Sequence, residues 1–274
     1  MRFRAGGVRF RVEPDAALVP AERDLLAPLD PDDGGDGPAP VRVELLDGAP
    51  WTSDDPSLFP RWEPAVQRWE GGRLLCSHAT FTAEIDPFAP RAGLFRREVR
   101  AYPVGAVVRT AMMARLPVIG GLPLHAAGVV VGGRGVAFFG PSGAGKSTLA
   151  ATAPGAVLSD ELVAVAPGRP FALGRSGFWG EGRESGRAGP APLGALVDLA
   201  KGPAFRLTRL RPAEAVGRVL ASTPVPLGAP LWSRALSVAA ELVRAVPVYR
   251  MEWTPAEPPW ERLAGALAEA TART

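Results

Sequence analysis

Nine consecutive residues carry the clearest chemistry in the chain: Gly140-Pro141-Ser142-Gly143-Ala144-Gly145-Lys146-Ser147-Thr148. They satisfy G-x-x-x-x-G-K-[ST] in full, and a sequence of this composition yields that pattern by chance in roughly 2 of 1,000 cases. Glycines let successive backbone N–H groups converge on phosphate oxygens. A helix that follows adds its positive N-terminal end. Lys146 brings a point charge to the outer phosphates, and the Ser147 hydroxyl suits Mg²⁺. Only two of the 31 basic residues are lysines, Lys146 and Lys201, and one stands at the position the pattern requires.

A second feature is the carboxylate pair Asp160-Glu161, which interrupts the apolar run Val157 to Val165. Phosphoryl transfer needs positioning, charge neutralisation and a carboxylate to accept the hydroxyl proton. Strand ends are where α/β sheets gather ligand groups. Transporter ATPases also place a hairpin before such a loop. They require an LSGGQ-like signature and a later apolar strand ending in Asp-Glu, and this chain has neither.

The elements around these residues read as a mixed α/β chain. Val8, Phe10 and Val12 alternate with arginines, Val41, Val43 and Leu45 with Arg42 and Glu44, and Phe81, Ala83 and Ile85 with Thr82 and Glu84. This period of two predicts half-buried strands. Asp30 to Pro40 and Thr52 to Pro64 read as loops. Val107, Val108, Ala111, Met112 and Leu116 have helical spacing that Pro117 ends. Gly128 to Val131 and Val136 to Phe139 predict a hairpin about Gly132-Gly133-Arg134-Gly135, with a helix over Ser147–Ala153 after the loop. Pro167 to Pro192, with seven glycines and four prolines, reads as a linker too irregular for a helix or a central strand. Beyond it, helices are expected over Pro212–Ser222, Leu231–Val246 and Pro258–Arg273, and a strand over Val248–Trp253. Trp232, Leu236, Ala239, Leu242 and Val243 form a helical stripe assigned to the core. The chain divides into a strand-rich region, 1–105, and an α/β region, 106–274.

Leu124-His125-Ala126-Ala127-Gly128, the hairpin, GPSGAGKST and Leu158-Ser159-Asp160-Glu161-Leu162 together resemble the HPr kinase/phosphorylase catalytic domain. They look closest to the HPr-kinase-related proteins found beside peptide-modification genes. The resemblance is strong over Leu116 to Val165 and looser over Gly177-Phe178-Trp179-Gly180-Glu181. It implies a phosphoenolpyruvate carboxykinase-like core with a mixed sheet, ATP and Mg²⁺ as cofactors, and transfer of the γ-phosphoryl group to a serine hydroxyl. His125 matches the family histidine before the hairpin, in a role of tuning the acids or contacting phosphate. Asp160 and Glu161 match a pair that is Asp-Asp in true HPr kinases. There the second acid is the base, and with Glu in that place either residue is a candidate here. Ser147, Asp160 and Glu181 are the metal candidates, Glu181 by its match to a family glutamate that contacts Mg²⁺. The segment by which the family grips HPr is not recognisable, so the implied acceptor is a serine-bearing peptide or small protein. The alternatives are a kinase of a small metabolite such as free serine, and a non-catalytic ATP-binding accessory protein.

Composition sets bounds on the rest. Net charge is +3 and the basic residues are scattered, without the clustered footprint of a nucleic-acid binder. Leu116 to Val131, the best candidate for a membrane span, contains two prolines and three glycines. The N-terminus lacks the apolar run of a signal peptide, and the single cysteine fits a reducing, cytoplasmic setting. His78 and Cys76 read as structural, since two residues make no zinc site. The four arginines from Arg169 to Arg187 suggest either a solvated loop or a lid over the transferring phosphate.

Overall fold

The computed structural model describes residues 1–32, 34, 37–46, 66–78, 80–96, 101–178, 189–226 and 229–272. The loop expected over Thr52 to Pro64 and the residues Trp179, Glu181, Arg183 and Arg187 lie outside this set. The chain forms two compact units, Met1–Ile119 with Val225–Ser233, and Gly120–Pro224 with Arg234–Thr274. Each contains an eight-stranded sheet with parallel and antiparallel pairs.

The first unit contains β1 (Arg2–Ala5), β2 (Val8–Glu13), β3 (Asp30–Pro31), β4 (Val41–Leu46), β5 (Val66–Glu70), β6 (Arg73–His78), β7 (Phe81–Asp86) and β8 (Arg91–Arg96). Their order is β3-β1-β2-β4-β8-β7-β6-β5. The period-two pattern is realised, with Phe3, Ala5, Val8, Phe10 and Val12 buried and the arginines between them facing outward. Helix α1 (Pro20–Leu26) packs against α2 (Ala101–Val118). The longer α2 also packs on β8, β7, β2 and β1 through residues that include Val104, Val108, Met112 and Leu116. It starts before the expected position, and Pro117 lies inside its last turn. Asp30 to Pro40 is not wholly a loop. Its first two residues pair with β1, and the Asp32 carboxylate, 2% exposed, accepts hydrogen bonds from Arg9 Nε at 3.1 Å and Arg4 Nε at 3.3 Å. His78 and Cys76 behave as core residues. The His78 ring shares a 2.9 Å hydrogen bond with Thr80 Oγ1 and stacks on Phe81, and burial pushes the Cys76 thiol up to about 12.

The second unit contains β9 (Leu122–Val131), β10 (Arg134–Phe139), β11 (Val157–Ser159), β12 (Leu162–Ala166), β13 (Ala172–Arg175), β14 (Ala191–Lys201), β15 (Arg206–Arg209) and β16 (Val248–Trp253). The hairpin β9–β10 turns on Gly132 and Gly133 alone. Strand β10 then pairs in parallel with β14, which pairs in parallel with β16. Pairings β9–β12, β12–β13 and β13–β14 close β10, β9, β12, β13 and β14 into a ring. The linker expected over Pro167 to Pro192 is therefore wrong at Ala172–Arg175 and at its C-terminal end, while Pro167 to Phe171 is irregular as expected. Ala172–Arg175 forms a strand bonded on both edges, and β14 begins at Ala191. The apolar residues Phe171, Leu173 and Ala191 are buried by this closure, which outweighs the turn-forming content around them.

Helices α3 (Lys146–Ala151), α4 (Pro212–Ala221), α5 (Ala229–Ala245) and α6 (Trp260–Ala272) follow the sequence reading within a few residues. The stripe assigned to α5 is displaced. Leu231, Ala235, Val238, Ala239 and Leu242 are buried, whereas Trp232 is 38% and Leu236 51% exposed. A core joins Val136 and Phe138 of β10, Val197 and Leu199 of β14, Met251 and Trp253 of β16, Leu149 of α3 and Trp260 and Leu263 of α6.

Burial pushes the Asp32 carboxyl up, but the hydrogen bonds from Arg9, Gly34 and Arg4 outweigh it and hold the group below its ordinary value of 3.8. Such a carboxylate stabilises the fold fully above its unfolded pKa, and the stabilisation disappears as pH falls through the lower folded value. Asp32→Asn should therefore cost about 1–2 kcal/mol at pH 7. The gap from wild type should shrink as pH drops below about 4. Urea denaturation across a pH series checks this, and a gap that persists at the acid end would disprove it.

Candidate functional site

Strand β10 ends at Phe139, and the chain turns at once into the loop 140–145. Gly140 has φ +144°, and a Cβ there would lie 2.9 Å from the Leu199 carbonyl oxygen. Gly145 has φ +98°, and a Cβ would lie 2.7 Å from Trp253 Cζ2. Both positions need the left-handed region and a bare α-carbon. The Trp253 indole also donates to the Ala144 carbonyl at 3.4 Å. Lys146 opens α3 and folds back, donating from Nζ to the carbonyls of Gly140 at 3.0 Å and Pro141 at 3.3 Å. Burial draws its ammonium below the ordinary lysine range, and the negative charge of Glu161 opposes that shift. Ser147 and Thr148 follow in the first turn of α3, both exposed. The Trp260 indole fastens the end of α3 by donating to Thr152 Oγ1 at 3.1 Å.

The carboxylate pair occupies the corner between β11 and β12. Ser159 builds that corner: its Oγ accepts from the N–H groups of Glu161 and Leu162, both at 3.2 Å, and donates to the Phe178 carbonyl at 2.9 Å. Ser176 supports the same place, donating to the Leu162 carbonyl and accepting from the Phe178 N–H. Register brings the corner to β9, where Leu162 lies opposite His125 and the Ala126 N–H donates to the Glu161 carbonyl at 3.1 Å. The result is a side-chain pair, with His125 Nδ1 3.4 Å from Glu161 Oε1 and both groups partly open to solvent. The His125 backbone N–H donates to the Ser222 carbonyl at 2.8 Å. Asp160 is 3% exposed.

Four of the sequence candidates thus fall into one region, namely the loop, Lys146, His125 and Glu161. Asp160 shares the corner but is turned inward. Glu181 lies outside the described residues. Of the arginines considered for a lid, Arg175 is buried in β13 and Arg169 is 94% exposed beside Glu241. No group of three or more His, Cys, Asp or Glu able to hold a metal occurs among the described residues. Sequence reasoning missed Ser159 and Ser176, which shape the corner, and Trp253, which shapes the loop. It also missed Asp198, a buried carboxylate in β14 beside the loop, although a lone acid inside the apolar run Leu193 to Ala200 is a visible signal.

Among the described residues no helix is long and apolar enough to cross a membrane. Comparison with protein-family models and with curated proteins returns no match to the chain.

The loop glycines give a direct test of this geometry. Gly145→Ala places a methyl group against the Trp253 ring in a strained conformation, so both costs add and it should lower stability by on the order of 2–5 kcal/mol. Gly143→Ala meets no atom within 4 Å at φ +76°, and its cost should be only about 1–2 kcal/mol. Thermal denaturation of the two variants should rank them in that order. Equal losses would mean that contact with Trp253 does not shape the loop.

Proposed function

We propose that the chain is an ATP- and Mg²⁺-dependent kinase that phosphorylates a serine hydroxyl of a peptide or small protein. The observation that carries this reading is a complete phosphate loop together with the His125–Glu161 pair, which β9 sets beside the end of β10 that leads into the loop. The phosphoenolpyruvate carboxykinase-like arrangement belongs to the same proposal. It is supported by a mixed sheet in which the loop strand β10 has an antiparallel and a parallel neighbour.

The residues present fit a polyphosphate. The loop is narrow at Gly140 and Gly145, where a Cβ would collide with its surroundings. The ammonium that would meet the outer phosphates donates hydrogen bonds to two loop carbonyls. Bound ATP–Mg²⁺ supplies the phosphoryl group and a divalent charge. Mg²⁺ shared with phosphates takes only one or two protein ligands, and Ser147 and Asp160 would hold it. Asp160 is buried, which suits a fixed ligand better than a proton acceptor. Glu161 is partly open, so it is the acid that a serine hydroxyl can reach. In this reading its carboxylate accepts the hydroxyl proton, and His125 orients that carboxylate and steadies its charge.

Two measurements test the reading. ATP–Mg²⁺ should raise the melting temperature of wild type, because a ligand that binds only the native state stabilises it. Lys146→Ala should lose most of the rise, and an equal rise in both proteins refutes the nucleotide site. Glu161→Gln should retain the rise and lose about 10²–10⁴-fold in transfer of labelled γ-phosphate, whereas Asp160→Asn should lose the Mg²⁺-dependent part of binding. Label on a peptide supports the proposal. Label on free serine, or on neither, replaces it with the metabolite kinase or the accessory protein.

A further inference from the structure

On the other edge of β10 from His125 lies a cleft of about 400 Å³. One wall is the outer lip of the phosphate loop, Pro141 to Ala144, and the other is the end of β14 from Asp198 to Lys201 with Arg218 and Arg250. Pairing sets its chemistry. Asp198 lies opposite Phe139 of β10 and opposite Arg250 of β16. Its carboxylate, 4% exposed, stands 3.4 Å from the guanidinium of Arg250 and 3.4 Å from that of Arg218, which comes from α4. Both arginines turn Nη1 toward the same oxygen, Oδ2, so one carboxylate oxygen draws the two guanidinium groups together. Glu214 also stands 3.6 Å from Arg218. Burial pushes the Asp198 carboxyl up and the two arginines oppose that shift.

We infer that Arg218 and Arg250, oriented by Asp198, form a second anion subsite that takes a tetrahedral phosphate beside the loop. A carboxylate buried this deeply is retained only with charged partners, and its partners here are forks suited to phosphate oxygens. The arginines are 44% and 37% exposed, and both line the cleft. Lys201 adds a third cation to the lining. Among the described residues no aromatic side chain lines the cleft, so they offer no stacking platform for a nucleoside base there. The loop lip it shares already gathers N–H groups for phosphates. The phosphate is a separate one, held beside the bound nucleotide on the side of the loop away from Glu161. This inference rests on reading the loop as a nucleotide site.

Calorimetric titration tests it with ATP, with ADP, and with inorganic phosphate or pyrophosphate added to the ADP-loaded protein, all in the presence of Mg²⁺. In wild type phosphate or pyrophosphate binds on top of ADP. Arg218→Gln/Arg250→Gln should abolish that added binding while leaving ADP affinity within about twofold. Asp198→Asn, which keeps both arginines but releases their anchor, should weaken the same quantity. Ligand-free melting curves establish that each variant is folded. Should the double variant not fold, Arg250→Lys, which keeps the charge and loses the fork, carries the comparison. Wild type that binds ADP but takes no added phosphate overturns the inference and leaves the nucleotide site intact. So does a variant that loses ADP and ATP affinity in equal measure. Wild type that binds neither nucleotide overturns both.

Discussion

Strand β10 is bonded along both edges, antiparallel to β9 and parallel to β14, and the candidate site hangs from its end. A strand held in this way cannot shift register without exposing Val136 and Phe138, which are fully buried. The direction in which the chain leaves Phe139 is therefore fixed, and the loop begins in a place already enclosed by Leu199 of β14 and Trp253 of β16. That enclosure is why the loop needs glycine where it does. The constraint is steric and comes from neighbours more than fifty residues away in sequence.

The same strand arrangement puts different chemistry on the two sides of the loop. Toward β9 lie His125 and Glu161, brought together by the register that sets Leu162 opposite His125. Toward β14 lie Asp198 and its arginines. An acid partly open to solvent sits on one side, and a buried acid sheathed by cations on the other. Burial decides this difference: an exposed carboxylate keeps water as its partner, whereas Asp198 must be matched by charge.

Small side chains do much of the positioning. Ser159 and Ser176 tie the corner that carries Asp160 and Glu161 to the backbone around Phe178, using hydroxyls that act as donor and acceptor at once. The indoles of Trp253 and Trp260 grip Ala144 and Thr152 on either side of α3. A helix of six residues would be marginal in isolation. Its stability here comes from Leu149 and Ala150 entering the core and from these two clasps.

Much of this was legible in the order of residues alone. The loop 140–148, the alternation in β2, β4 and β7, the hairpin β9–β10 and the helices α4 to α6 all carry local signals, because turn chemistry and periodicity act over a few neighbours. What escaped the sequence depended on distant partners. Ala172–Arg175 is short and set among glycines and prolines, and it becomes a strand only because β12 and β14 bond it on both edges. The buried face of α5 falls one residue earlier than Trp232 and Leu236 suggested, since two apolar stripes run along that helix and only packing selects between them. The sequence determined by itself that a phosphate loop follows a hairpin and precedes two adjacent acids. Tertiary structure decided that Glu161 rather than Asp160 meets His125, and that Asp198 lies beside the loop, because strand pairing and burial, not spacing along the chain, set those distances.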